Sequence, residues 1–442
     1  MSKSDVVVIG AGLAGSEASY YLAQNGFKVS LIEMRPKKTT AAHHTEKFAE
    51  LVCSNTFKSL DPTTGPGILK EELKILGSLI LEAANASAVP GGQALAVDRV
   101  KFADYVTNKV RNHPNITLNE GEASKADSQI PTIIATGPLT TDTLAKWIGE
   151  QTDANGLYFY DAIAPIVDAS TIDQDTSFLA NRYDKGDEAA YINCPLTENE
   201  YEEFISKIQD CERVAPKPFE KENFFQGCQP IEAILSGGKN SLRFGPMKPV
   251  GLTDPRTGQR PFAVVQLRPE NESKTAYNMV GFQTRLKYGD QKKVFQLIPA
   301  LKNAEFLRMG SIHRNTYVCG PSVLNPDLSL KRRPKVYLAG QITGVEGYTE
   351  STACGLLAAI FMQQRLNKEP HNAPPANSAL GALLRHIVGS SPKTYQPSNI
   401  HFGLFEPSLF SDVVGLKKNL ARTAIAEQSL ANLKNWNQFR SR

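Results

Sequence analysis

The first 33 residues constrain this chain more than any other stretch. Val6-Val7-Val8-Ile9 is an apolar β run, and Gly10-Ala11-Gly12-Leu13-Ala14-Gly15 follows at once. A helical pattern covers Ser16 to about Asn25, and a second β run, Lys28 to Ile32, ends at Glu33, 18 residues beyond Gly15. Strand, glycine turn, helix, strand and acid stand in dinucleotide-binding order. Gly10 permits the tight turn out of the strand, Gly12 lets a pyrophosphate approach the backbone, and Gly15 lets the helix pack against the sheet. Unpaired N–H groups at the helix start favour phosphate. The cradle is therefore expected at Gly10, Ala11, Gly12, Leu13, Ala14 and Gly15, with Glu33 on ribose hydroxyls. An acid at that strand end repels a 2′-phosphate, so NADP is not expected in this site.

The length of 442 residues predicts more than one domain. The first strand begins near Asp5, which leaves no room for a signal peptide. No apolar run approaches the ~20 residues that span a bilayer. The richest, Ala353 to Met362, reads as a buried helix. A cytoplasmic protein with no membrane partner is expected. The six cysteines (53, 194, 211, 228, 319 and 354) show no CxxC pair and no zinc spacing, so no metal is expected and any that matter act as thiols. The net charge of +4 hides an asymmetry: residues 207–335 hold 22 Lys and Arg against 11 Asp and Glu. A basic middle on an acidic nucleotide-binding body suits a polyanionic partner, although a solvated basic surface accounts for the same charge.

Residues 1–190 read as α/β. Helices are predicted from about Ile68 to Ala84 and over Arg99 to Arg111, and Thr132 to Gly137 is a short buried strand ending in glycine. Residues 191–310 change character: an amphipathic helix, Glu198 to Gln209, precedes Pro- and Gly-punctuated β runs at Phe262 to Leu267 and Tyr277 to Phe282. A further glycine element follows, Lys335-Val-Tyr-Leu-Ala-Gly340-Gln341-Ile-Thr-Gly344-Val-Glu346-Gly347-Tyr348, with a small-residue helix from Ser351 to Arg365. The end is helical from about Asp412 to Trp436. The expected fold class is α/β, a Rossmann-like nucleotide-binding domain (1–190 and 311–442) interrupted by a mixed α/β domain (191–310).

Gly340 to Tyr348 with Glu350-Ser351 resembles a signature of the GidA/TrmFO family of folate- and flavin-dependent RNA uridine modifiers. Leu51-Val-Cys53-Ser-Asn-Thr, Ala94 to Arg99, Phe225-Gln-Gly-Cys228-Gln-Pro-Ile-Glu232, Arg243-Phe-Gly-Pro-Met-Lys-Pro-Val-Gly-Leu252 and Ile312-His313-Arg314-Asn-Thr-Tyr317 extend the resemblance along nearly the whole chain. It is closest to the members that lack a long C-terminal extension. It implies an FAD-binding body and methylation of uracil carbon 5 in RNA. The carbon comes from 5,10-methylenetetrahydrofolate and the electrons from reduced flavin, itself reduced by NADH or NADPH. The implied substrate is uridine 54 of the tRNA T-loop, with large-subunit ribosomal RNA as the alternative.

That chemistry needs a thiolate. Carbon 5 is a poor nucleophile until a thiolate adds at carbon 6 and turns the ring into an enolate. Cys228, beside Lys217, Lys221 and Lys239 in sequence, occupies the family's nucleophile position. Cys53, in a polar loop, occupies that of a second essential residue, base or partner thiol. The division of roles between them stays open. Cys194, Cys211, Cys319 and Cys354 match no catalytic motif. The resemblance adds Glu346 at the flavin edge or a folate pterin, His313 against the pterin, Arg314 for the folate tail or RNA phosphates, and Gly137, Gly340, Gln341, Gly344 and Gly347 around the cofactor. A pyridine-nucleotide site has no second complete glycine motif to mark it. The rival readings are a flavin oxidoreductase acting on a small molecule, a modifier of the tRNA wobble uridine, against which the short C-terminus argues, and a catalytically silent RNA-binding flavoprotein, against which the two cysteines argue.

Overall fold

The computed structural model describes residues 4–440 except 41, 128, 153–156, 186–187, 214–228, 394, 411–412 and 414, and the backbone alone of 157–163, 311–315, 407 and 418. Two six-stranded sheets dominate. In the first, Arg333–Leu338, Thr132–Ile134, Val6–Ile9, Val29–Glu33 and Ile116–Glu120 lie side by side and parallel, and Ser329–Leu330 caps one edge antiparallel. The central strands Val6–Ile9 and Thr132–Ile134 are largely apolar and buried, as central parallel strands are, whereas the outer strand Ile116–Glu120 is mostly exposed. Val6, Val8, Leu31, Ile133, Ile134, Val336 and Leu338 are buried.

The helices Leu13–Gln24 and Tyr348–Asn367 pack together against this sheet. Their crossing is close because its residues are small. A Cβ on Gly355 would collide with the Ala14 carbonyl oxygen. The long helix is buried on nearly every side, as expected of its apolar run from Ala353 to Met362. Among the described residues no helix is long and apolar enough to cross a membrane.

The second sheet is antiparallel, in the order Phe178–Leu179, Ile192–Leu196, Ala263–Pro269, Ala276–Met279, Ile166–Asp168, Phe306–Arg308. It has its own core, in which Cys194, Phe204, Ile208, Val265, Phe282 and Phe295 are buried. The helix over its face, Glu198–Asp210, opens with a capping box in which Thr197 and Glu200 satisfy each other's backbone N–H groups. An antiparallel ribbon, Leu157–Ile163 with Ser311–Tyr317, carries the chain out and back. The second sheet starts upstream of residue 191, because Ile166–Asp168 and Phe178–Leu179 hydrogen-bond into it.

The helix expected from Ile68 to Ala84 is two helices, Gly65–Ile75 and Leu79–Ala86. Gly77 at φ +73° ends the first, and the Ser78 hydroxyl caps the second by accepting the Leu81 N–H. The C-terminal helices, Ala379–Gly389 and Lys418–Arg440, fold back onto Gly65–Ile75. Buried Glu72 joins them: it accepts the N–H groups of Ala379 and Leu380, both at 2.8 Å, and the Ser429 hydroxyl at 2.7 Å.

Burial pushes the Glu72 carboxyl up to about 7, against the pull of these donors. The stability it contributes is fully present below the unfolded value near 4.5 and is lost as pH rises through 7. The advantage of the wild-type chain over Glu72→Gln should therefore shrink between about pH 5 and pH 8, by at most ~1.4 kcal/mol per pH unit. Denaturant titrations across that range check it, and a constant difference would contradict it.

Candidate functional site

The glycine turn has the expected shape. Gly10 stands at φ +98°, and a Cβ there would lie 2.8 Å from the Ala135 carbonyl oxygen. A Cβ on Gly15 would run into the Gly10 carbonyl oxygen, so this glycine sets the seating of the helix on the strand. Gly12 differs. Its φ is −72° and no protein atom lies within 4 Å of the position a Cβ would take. Nothing in the fold itself requires glycine at this helix N-cap, and no side chain caps the helix there. The first-turn N–H groups at Leu13, Ala14 and Gly15 face this open space with no intrahelical acceptor. The cradle thus fits a pyrophosphate.

Glu33 is buried at the end of its strand. One carboxylate oxygen accepts the Ala11 N–H at 2.7 Å, and the other accepts the Arg35 N–H and Nε–H at 3.1 and 2.8 Å. Burial raises the carboxyl, but the Arg35 charge and these donors outweigh it and hold Glu33 below its ordinary value. An ionised carboxylate has about four lone-pair positions, so a ribose hydroxyl can still be accommodated. Beside it opens a cleft of about 570 Å³, including its mouth, lined by Gly10, Gly12, Glu33, His43, Thr136 and Leu139 among others. It lies at the C-terminal ends of the parallel strands, where open α/β sheets bind ligands. Gly137, at φ +67°, follows the lining residue Thr136.

At the other end of the cradle, Arg333–Leu338 runs into a 3₁₀ turn, Gly340–Thr343. Gly340 stands at φ +79°, and its Cβ would lie 2.8 Å from that of Ala14, so the two glycine turns adjoin. Gln341 donates to the Glu346 carboxylate at 2.5 Å, and the Glu346 N–H donates to the Ser398 carbonyl at 2.8 Å. Gly344 and Gly347 stand at φ +92° and +113°. The space a Cβ would need on Gly344 is occupied by the Tyr395 ring, and that on Gly347 by Lys58 and the Glu350 carboxylate. Lys58 lies 3.5 Å from Glu350, which is fully buried.

Tyr348 begins the long helix, and its hydroxyl accepts the N–H groups of Cys53 and Ser54 at 2.9 and 3.1 Å. The Cys53 carbonyl accepts from Arg99 and from Arg308, each at 3.0 Å. Arg308 also donates to the Val52 carbonyl at 3.2 Å, and Arg99 to the Leu51 carbonyl. Arg99 is paired with Glu270, which comes from the second unit, as does Arg308. Asn55 ties the same loop to that unit through the Pro269 carbonyl and the Arg268 guanidinium. Cys53, half-buried, is thus held by its backbone from both units. Glu346 lies two residues before the tyrosine that anchors it.

Cys228 lies outside the described residues, so its placement relative to Cys53 does not enter the geometry. His313 and Arg314 lie on the ribbon strand Ser311–Tyr317, with His313 opposite Asp161, but their side chains are likewise outside the described residues. Cys194 and Cys354 are fully buried, and burial drives both thiols upward. This accords with their lack of any catalytic motif. Among the described residues no His, Cys, Asp and Glu grouping could hold a metal.

The family model for glucose inhibited division protein A (GIDA) matches residues 5–370. This chain belongs to the GidA family. A methylenetetrahydrofolate--tRNA-(uracil-5-)-methyltransferase, TrmFO, of Listeria welshimeri is 51% identical over 98% of this chain and 99% of its own. The TrmFO of Desulfotalea psychrophila is 48% identical over 98% and 97%. The solved structure of Aquifex aeolicus GidA superposes with a TM-score of 0.68 at 16% identity, covering 99% of this chain and 75% of that one. The GidA fold is therefore the fold of this chain, as the sequence reading expected.

Within the GidA fold the arginine clamp is what the sequence did not announce. Arg99 closes a motif of the resemblance, but Arg308 stands in no motif. Arg308→Ala leaves the Val52 carbonyl without this donor and the Cys53 carbonyl with Arg99 alone. It should lower kcat about ten-fold, as expected of a misplaced reacting group, with KM and flavin content unchanged. Steady-state kinetics check this, and wild-type kcat in the variant would contradict it.

Proposed function

We propose that this chain transfers the methylene carbon of 5,10-methylenetetrahydrofolate to carbon 5 of uridine 54 in tRNA and reduces it to a methyl group. The observation that carries this reading is 51% identity to a TrmFO along essentially the full length of both chains. The relatives' names specify tRNA, which favours it over ribosomal RNA. A purely small-molecule oxidoreductase would leave the basic stretch 207–335 without a role.

The glycine cradle from Gly10 to Gly15 would hold the FAD pyrophosphate, Glu33 the ribose, and Gly137, Gly340, Gln341, Gly344 and Gly347 the remainder of the cofactor. FAD, when bound, supplies the electrons that turn methylene into methyl. Cys228 adds as thiolate to carbon 6 and activates carbon 5, and leaves once carbon 5 is substituted. Cys53 takes the carbon 5 proton or serves as partner thiol, and Glu346 stands at the flavin edge or the folate pterin. Tyr348, Arg99 and Arg308 position the Cys53 loop. His313 and Arg314 serve the folate pterin and glutamate tail. NADH or NADPH is the reductant, and the chain works in the cytoplasm. Residues 157–163 and 311–317 are the two crossings between the FAD-binding body and the inserted unit.

Coupling tests this reading. Sustained NADH or NADPH oxidation tied to methyl transfer should require folate and undermodified tRNA together, and tRNA carrying cytidine at position 54 should give no methylated product. Product formed equally from that variant tRNA would remove position 54. Oxidation of the nicotinamide with no product in any RNA would favour the oxidoreductase.

A further inference from the structure

One motif of the resemblance, Arg243 to Leu252, has no part in the chemistry above, and its second residue is exposed without packing to explain it. Phe244 ends the short helix Ser241–Phe244 and is 81% exposed. Its neighbours are rigid. Leu242 and Met247 are fully buried, the Met247 N–H donates to the Leu242 carbonyl at 2.8 Å, and the Met247 carbonyl accepts the Val264 N–H from the second sheet. Phe244 therefore stands between two buried anchors and faces solvent.

The chain around it is basic, although the adjoining helix Glu198–Asp210 carries the exposed acids Glu198, Glu202 and Glu203. Residues 236–260 contain Lys239, Arg243, Lys248, Arg256 and Arg260 against Asp254 alone, and that acid is paired with Arg256 at 2.6 Å. Arg243, Lys239 and Lys248 lie on adjoining backbone. Arg243 lies 3.5 Å over the Phe262 ring and donates to the Phe262 carbonyl. Phe262 packs on Tyr201, whose hydroxyl donates to the Lys239 carbonyl. The Lys248 N–H returns to the Gly245 carbonyl beside Phe244. Lys239, Lys248 and Arg260 are exposed. An exposed aromatic on a rigid, basic surface is the composition of a base-stacking platform. Every base offers a π-face, and the cations meet the backbone phosphates. The patch is also close along the chain to the proposed nucleophile. Gln229 and Pro230, the first described residues after Cys228, lead into the helix Ile231–Leu235, about 7 Å long, which packs on Ser241–Phe244.

We propose that Phe244, flanked by Arg243 and Lys248, stacks on an unpaired base of the RNA next to the target uridine. This rests on the reading that RNA is the substrate. A lone exposed phenylalanine is ordinary on a protein surface. The buried anchors on either side, the basic run along residues 236–260 and the position along the chain together single this one out, and the last of these favours RNA over a protein partner or a lipid surface.

The test uses the full chain and an unmodified tRNA transcript followed by fluorescence anisotropy. Phe244→Ala should weaken binding about ten-fold and Phe244→Trp should restore it, as loss and recovery of one stacked base. Flavin content and Tm should stay unchanged, because the side chain packs on little. Lys248→Ala should reduce the slope of log Kd against log salt by roughly 0.7–0.9, the share of one phosphate, whereas Phe244→Ala should leave that slope alone. Wild-type affinity in Phe244→Ala overturns the proposal, including the case in which the residue docks a protein instead. The wild-type chain is assayed alongside for 5-methyluridine in the same transcript. If it forms none, the underlying reading fails and the patch with it. If it forms product while Phe244→Ala binds normally, the patch alone fails.

Discussion

Gly12→Val is expected to purify as a folded, colourless protein, while Gly15→Val fails to fold. Both glycines belong to one motif, yet the structure gives them different work. The space beside Gly12 is open to the protein, and its backbone is extended, a conformation any residue adopts. Valine there meets nothing until a pyrophosphate enters. Forcing branched carbon into an occupied contact costs about 1–3 kcal/mol, so FAD affinity should fall roughly 10- to 100-fold or more. At Gly15 the obstacle is the Gly10 carbonyl, part of the fold itself. Relief there means lifting the helix from the sheet and disturbing its crossing with the long helix at Gly355. Flavin absorbance and circular dichroism separate the two. A yellow Gly12→Val protein with full flavin would contradict the cradle.

The second large effect concerns the cysteines. Cys228→Ala and Cys53→Ala should each lower methyl transfer by on the order of 10⁴-fold or more while FAD stays bound. Cys53→Ala is a clean substitution. The clamp from Tyr348, Arg99 and Arg308 grips only the N–H and carbonyl of residue 53, and alanine retains both. RNA bearing 5-fluorouridine at the target distinguishes the roles, because the thiolate adduct at carbon 6 then persists. Cys53→Ala should still form the covalent complex and Cys228→Ala should not. The reverse pattern would exchange the two assignments.

The N-terminal unit was legible because its signals are local. A strand, three glycines, a helix and an acid each declare themselves within 33 residues; the elements form in that order, with the helix starting at Leu13 rather than Ser16 and Glu33 also holding Ala11 and Arg35. The break at Gly77 was missed because the apolar pattern runs on through it. There the left-handed glycine and the Ser78 cap outweigh periodicity. The early start of the second sheet was invisible for a different reason. Ile166–Asp168 and Phe178–Leu179 are short and pair with strands roughly 15 to 140 positions away, and no local pattern carries such pairing.

The site shows the same division. Cys53 and Glu346 stand out through motifs, and their elements meet at the start of the long helix. Tyr348 lies in the Gly340 to Tyr348 motif but shows no role in sequence, since its hydroxyl acts on residues 295 and 294 positions away. Arg308 and Glu270 carried no signal, because a charge that clamps a distant loop looks in sequence like any surface charge.

The central claim is that a folate carbon becomes the methyl group of one tRNA uridine. The most direct measurement uses methylenetetrahydrofolate deuterated at its methylene, with undermodified tRNA and NADH or NADPH, followed by mass analysis of the nucleosides. The account predicts 5-methyluridine at position 54 carrying both deuterons. Unlabelled 5-methyluridine, or label confined to ribosomal RNA offered in parallel, would contradict it.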